Sequence, residues 1–136
     1  MKKLLSSSYS DGAFNFALLL VRLAFGILMI ANHGLIKLMN FSTMQHTFYN
    51  FMGIGSMFSL LLDLFAELFC SMFIILGLFT RLAAIPLVIA MCVAIFGVHA
   101  HQSLAKAELA VLYLTAFLTI LFVGPGKISV DAMIRG

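Results

Sequence analysis

Polar residues are sparse along most of the chain, and those that occur recur at helical spacing inside long apolar runs. The clearest case is Arg22 to Lys37, RLAFGILMIANHGLIK. At about 100° per residue, Arg22, Gly26, His33 and Lys37 fall within a sector of roughly 60° on one helix, while Leu23, Phe25, Ile27, Leu28 and Ile30 cover most of the rest. Three further runs repeat the pattern. Asp63, Glu67, Cys70 and Gly77 lie at i, i+4, i+7 and i+14; Cys92 and His99 are seven apart; Glu108, Thr115 and Thr119 share one face. The apolar runs predict four helices, from about Ala13 to Met39, Met57 to Phe79, Leu82 to Ala100 and Ala105 to Val123. Each is near the length that crosses the hydrocarbon core of a bilayer.

The connections carry their own signals. Ser10 and Asp11 suit the start of the first helix. The segment from Phe41 to Gly55 is too short and too polar to span. Its Phe41, Met44, Phe48, Phe51 and Met52 recur at helical spacing, which predicts a short helix lying in the interface and ended near Gly53 and Gly55. Gly77 and Arg81 mark a tight turn, and Pro86 falls close to the start of the third helix, where it removes few hydrogen bonds. Gly124, Pro125 and Gly126 break the fourth, leaving KISVDAMIRG as a surface tail.

Composition agrees with this pattern. With 63% hydrophobic and 10% charged residues over 136 positions, the chain departs from soluble domains, which run near 45–50% and 25%. The expected fold is all-α: a single transmembrane domain over residues 1–136, an integral membrane four-helix bundle with a short interfacial helix between the first and second spans. The net charge of +3 calls for no nucleic acid, since five basic flanks (Lys2, Lys3, Arg81, Lys127, Arg135) face Lys37 and Lys106 across the spans. That bias places both termini in the cytoplasm. The basic, serine-rich start precedes a long apolar run that contains Arg22 and lacks a small-residue cleavage site, so it reads as a retained helix and not as a secretory signal.

A charge in hydrocarbon costs several kcal/mol, so intramembrane charges face a protein interior or a wet cavity and have partners. A bundle with its polar stripes turned inward satisfies this. Depth along the helices, at about 1.5 Å per residue, pairs Arg22 with Glu67. It also places His33, Lys37, Asp63, His99 and Glu108 in the outer third, a cluster of two histidines, one lysine and two or three carboxylates. Such a cluster can handle protons or a polar head group; the plainer alternative is ion-pair glue that fixes helix register, with His33, Lys37 and His99 snorkelling to the interface. His46 and His101 read as interfacial. Cys70 and Cys92 lie in apolar runs without a CxxC spacing and read as packing residues, not a redox pair. His33 and His99 as axial haem ligands are disfavoured, because Lys37 and the carboxylates crowd the place of a porphyrin. A zinc or iron set of His33, His99, Glu67 and Glu108 is a further alternative that ranks below the leading one.

The ordered set of the Arg22 to Gly26 opening, HGLIK from His33 to Lys37, Glu67, GLFTRLAA from Gly77 to Ala84, His99 with Glu108, and GPGKISVD from Gly124 to Asp131 resembles the DoxX family of small bacterial membrane proteins. The resemblance implies a four-helix protein of the bacterial inner membrane and, in some relatives, a subunit of a thiosulfate:quinone oxidoreductase or of a membrane-associated oxidoreductase complex. It also implies that Arg81 and Asp131 tie the inner turn to the tail, and it makes Arg22, His33, Lys37, Glu67, His99 and Glu108 the residues of interest. The leading expectation is a quinone-interacting subunit: His33 and Lys37 donate to the ring carbonyls, Glu67 or Glu108 moves protons, and Arg22 orients Glu67. A soluble redox partner would complete the complex, and small residues on the third span leave room for a homodimer. The rivals are a non-catalytic scaffold or assembly factor, a metal-binding membrane protein, and a proton or solute conduit; the inner half, with little beyond Arg22 and Gly77, argues against the last.

Overall fold

A computed structural model describes residue 2 and residues 4–135 of the chain. Four long helices account for most of it: α1 (Asp11–Met39), α3 (Ser56–Leu76), α4 (Thr80–Val98) and α5 (Leu104–Val123). Two short ones join them, α2 (Phe41–Met44) and α6 (Val130–Arg135). Among the described residues there is no strand. All four long helices have the length and apolarity to cross a membrane, and the protein is a multi-pass membrane protein.

Helix ends obey local chemistry. The Ser10 hydroxyl accepts from the Ala13 N–H at 3.1 Å, and Asp11 adds a negative charge to the first turn of α1. α3 stops at Leu76, three residues before the sequence predicts, because Gly77 takes a left-handed conformation with φ of 72°. α4 then begins at Thr80, two residues before the sequence predicts, which puts Pro86 in its second turn. Phe41–Met44 and a single 3₁₀ turn at Phe51–Gly53 are the helical parts of the loop that joins α1 to α3.

Each long helix packs against two others, α1 on α3 and α5, and α4 on α3 and α5. Met29, Ile74, Leu87, Met91, Phe117 and Ile120 fill the space between them. Phe16, Leu20, Phe58, Phe69, Leu82 and Phe122 point outward, where lipid is the solvent and an apolar surface carries no penalty. α1 and α3 approach closely at Gly34, where an added Cβ would sit 2.6 Å from Leu68 Cδ2.

One expected polar stripe does not turn inward. Thr115, Thr119 and Glu108 on α5 are exposed, and α5 buries Ala107, Tyr113, Ala116, Phe117 and Ile120 instead. The two threonine hydroxyls donate to carbonyls of their own helix four residues back, Val111 at 2.9 Å and Thr115 at 2.8 Å. Satisfied locally, they need no polar interior.

Three of the four long helices contain a π turn: Ile30–Gly34 in α1, Phe65–Cys70 in α3 and Ala94–Val98 at the end of α4. The Leu35 N–H reaches the Ile30 carbonyl, and the His99 N–H the Ala94 carbonyl, each five residues back. Every such turn inserts an extra residue and re-aims the side chains C-terminal to it.

Candidate functional site

The π turns hold His33 and Glu67 and deliver the chain to His99. One turn beyond His33, Lys37 reaches across to α3 and places its Nζ 2.6 Å from Asp63 Oδ2 and 2.9 Å from Glu67 Oε2. The ammonium also lies 5.5 Å from the centroid of the Phe48 ring, within cation–π range. Glu67 is only 2% exposed, and its second oxygen, Oε1, is buried with no hydrogen-bond partner among the described residues.

A cavity of about 600 Å³ lies beside this triad. His33, Lys37, Asp63, Glu67 and His99 all line it, with Phe48, Tyr49, Phe51 and Ser59 from the α1–α3 side and Pro86, Met91, Ala94, Ala110 and Tyr113 from α4 and α5. The His33 ring meets Tyr113 edge-on, centroids 5.3 Å apart and planes at 86°. The Tyr113 ring also stacks on Phe117 and takes Phe25 edge-on, which fixes its place in the wall. His99 Nδ1 lies 2.7 Å from Gln102 Oε1, so the loop after α4 orients this ring. The result is a mostly apolar chamber with a charged, titratable side, of a size typical for small-molecule sites.

A family model described as DoxX matches residues 17–100. The chain belongs to the DoxX family. The match runs from within the second turn of α1 to just past α4 and takes in Arg22, His33, Lys37, Asp63, Glu67 and His99, whereas Glu108, Tyr113 and the tail lie beyond it. No curated protein and no solved structure matches the chain.

In this DoxX protein the expected Arg22–Glu67 pair does not form. Arg22, 1% exposed, gives all its bonds to backbone carbonyls: Nε to Ile74 at 3.0 Å, Nη2 to Ile75 at 2.9 Å, and Nη1 to Pro125 at 3.0 Å and Ile128 at 2.6 Å. The early end of α3 frees its last carbonyls, and the guanidinium fork completes them. Glu67 is seven residues, about 10 Å, farther along α3, level with Lys37. Gly77 belongs to the same arrangement, since a Cβ there would stand 2.7 Å from Arg22 Nη2.

Nor do Arg81 and Asp131 pair with each other: Asp131 ties the α3–α4 turn to the tail, and Arg81 ties the start of α4 to the end of α5. Asp131 accepts from the Phe79 and Thr80 N–H groups at 2.8 and 2.9 Å and from the Thr80 hydroxyl at 2.7 Å. The Asp131 N–H in turn donates to the Gly77 carbonyl. Arg81 donates to the Val123 carbonyl, at the last residue of α5, at 3.3 Å.

Glu108 faces away from the cavity, so the four-residue metal set of His33, His99, Glu67 and Glu108 is not assembled. Among the described residues no group of three or more His, Cys, Asp and Glu stands close enough to hold a metal ion. Cys70 and Cys92 are both free thiols: Cys70 is buried in the apolar core, and Cys92 is half-buried beside Tyr49 and Phe51. Tyr113 is the wall residue that stripe reasoning passes over. It is the one tyrosine within the four predicted spans, and a phenol at that depth asks for a polar neighbour or a wet space.

Proposed function

We propose that this protein is a membrane subunit of an oxidoreductase complex whose cavity takes the ring head group of a lipid-soluble quinone. The observation that carries the reading is the cavity beside Lys37, Asp63 and Glu67: an ion triad with Glu67 buried and Lys37 and Asp63 half-buried exceeds what packing needs, and the chamber it borders suits one substituted ring. Membership of a family of membrane proteins often associated with oxidoreductases supports the same reading. A quinone supplies two-electron, two-proton redox chemistry when bound.

The chain's own residues would bind the ring and move protons. Lys37 has three N–H donors, two of them committed to Asp63 and Glu67, which leaves a third for a ring oxygen. Glu67 takes or gives a proton, the His33 and His99 imidazoles relay it towards the loops, and Tyr113 with Phe48 flanks the ring. Glu108 and Arg22 have no part in this. The family resemblance favours the bacterial inner membrane, and the distribution of basic flanks favours both termini in the cytoplasm, with the cavity in the outer half. A soluble redox partner supplies or accepts the electrons.

Quinone extraction from protein purified in mild detergent tests the proposal. Wild-type protein is expected to retain near-stoichiometric quinone, and His33→Ala and Lys37→Met to retain at most a tenth of that. Wild-type protein without quinone, or variants that keep it, would overturn the reading in favour of a scaffold, the alternative that the extensive backbone clasp of Arg22 supports.

A further inference from the structure

We infer that the cavity recognises its ring through a hydrogen bond donated to Glu67 Oε1, and so takes the dihydroxy state, the quinol, in preference to the diketone. The inference rests on the quinone reading above and adds to it which redox state the site selects. Lys37 Nζ occupies Glu67 Oε2 and Asp63 Oδ2. Glu67 lines the cavity, and its Oε1 is buried without a donor. A carboxylate oxygen removed from water and left unpaired is costly, and a ligand that supplies an O–H removes that cost. A quinol carries two such donors. A quinone carries only acceptors, whose lone pairs would oppose Oε1 and leave it unpaired, and a site built for a hydrogen bond discriminates strongly against a ligand that lacks it.

The isosteric change at this position has a defined outcome. In Glu67→Gln the Lys37 ammonium, which can only donate, keeps the carboxamide oxygen on its side. The NH₂ group then stands where Oε1 stood, an acceptor exchanged for a donor in the same space, and the preference turns towards the diketone.

Anaerobic calorimetry of the purified protein with duroquinol, duroquinone and the dimethyl ether of duroquinol tests this. Wild-type protein is expected to bind the quinol at least tenfold more tightly than either other ligand. Glu67→Gln is expected to bind the quinone more tightly than the quinol. Preferential binding of the reduced state raises the midpoint potential of the bound couple, by about 30 mV for each tenfold in affinity ratio, and potentiometry of the loaded protein reads that shift independently. Equal affinity for the three ligands, or tighter binding of the quinone by wild-type protein, overturns the inference while the quinone reading stands. Binding of none of them removes both. Should Glu67→Gln fail to fold, the comparison of quinol with its dimethyl ether on wild-type protein still decides.

Discussion

Arg22 and Lys37 stand on one polar stripe of one helix, fifteen residues apart, yet they answer the cost of a buried cation in different ways. Lys37 finds two carboxylates, while Arg22 finds the carbonyls that a helix end and a broken tail leave open. Removing the guanidinium leaves three acceptors without donors, the Ile75, Pro125 and Ile128 carbonyls, at about 1 kcal/mol each, since the Ile74 carbonyl keeps the Gly77 N–H. Arg22→Met is therefore expected to destabilise the protein by on the order of 3 kcal/mol, read from unfolding in detergent. Arg22→Lys should recover only part, since an ammonium cannot reproduce the planar fork.

Asp131 makes a third kind of contact at the same end of the molecule. Burial pushes its carboxyl up, but the Thr80 and Phe79 N–H groups, the Thr80 hydroxyl and the charge of Arg135 together hold it below the ordinary carboxylate value. A depressed folded-state value stabilises above the unfolded value, near 3.9, and that stabilisation is lost as pH falls through the folded value. Between about pH 5 and pH 3, thermal stability of wild-type protein should fall more steeply than that of Asp131→Asn. Parallel profiles would show that the three donors do not favour the charged form.

At the scale of elements, the long apolar runs made the four spans legible, and the stripe of α1 pointed correctly to the side that carries Arg22, His33 and Lys37. What the sequence concealed has two causes. Backbone carbonyls leave no mark in a side-chain pattern, so the partners of Arg22 were invisible, and threonines that bond within their own helix mimic a polar face on α5. The π turns are the third hidden feature. A uniform 100° step assumes an unbroken α-helix, but His33 and Glu67 sit inside wider turns, and the aim of the next helical turn depends on the inserted residue. Deleting Ala31, an exposed residue in the first of these turns, removes the extra residue that the wider turn absorbs, so α1 returns to regular winding with the segment from Leu35 onward still facing α3. Lys37 then keeps Asp63 and Glu67. Retained quinone should stay near the wild-type level, while circular dichroism stays that of a helical protein; a drop to the level of Lys37→Met would mean that the extra residue is not absorbed within the turn.

On the scale of the whole molecule the two ends are built to opposite plans. At the end shared by the α3–α4 turn and the tail, Arg22, Asp131 and Arg81 bind backbone from distant parts of the chain, and Asn15 Oδ1 accepts the Lys127 N–H at 2.9 Å. These bonds hold α1, α3, α5 and the tail together. At the other end the polar groups are gathered without being exhausted: the Lys37 triad leaves Glu67 Oε1 over, and His33, His99 and Tyr113 border open space. A solute path across the membrane would need both ends to resemble the second. A chamber that receives a ligand at one depth and returns it on the same side needs one closed end to fix the helices and one open end with spare hydrogen-bonding capacity. The location of the spare capacity thus bears on the choice between a binding subunit and a conduit more than the number of charged residues does, because Arg22 and Asp131 at the closed end are committed to backbone groups.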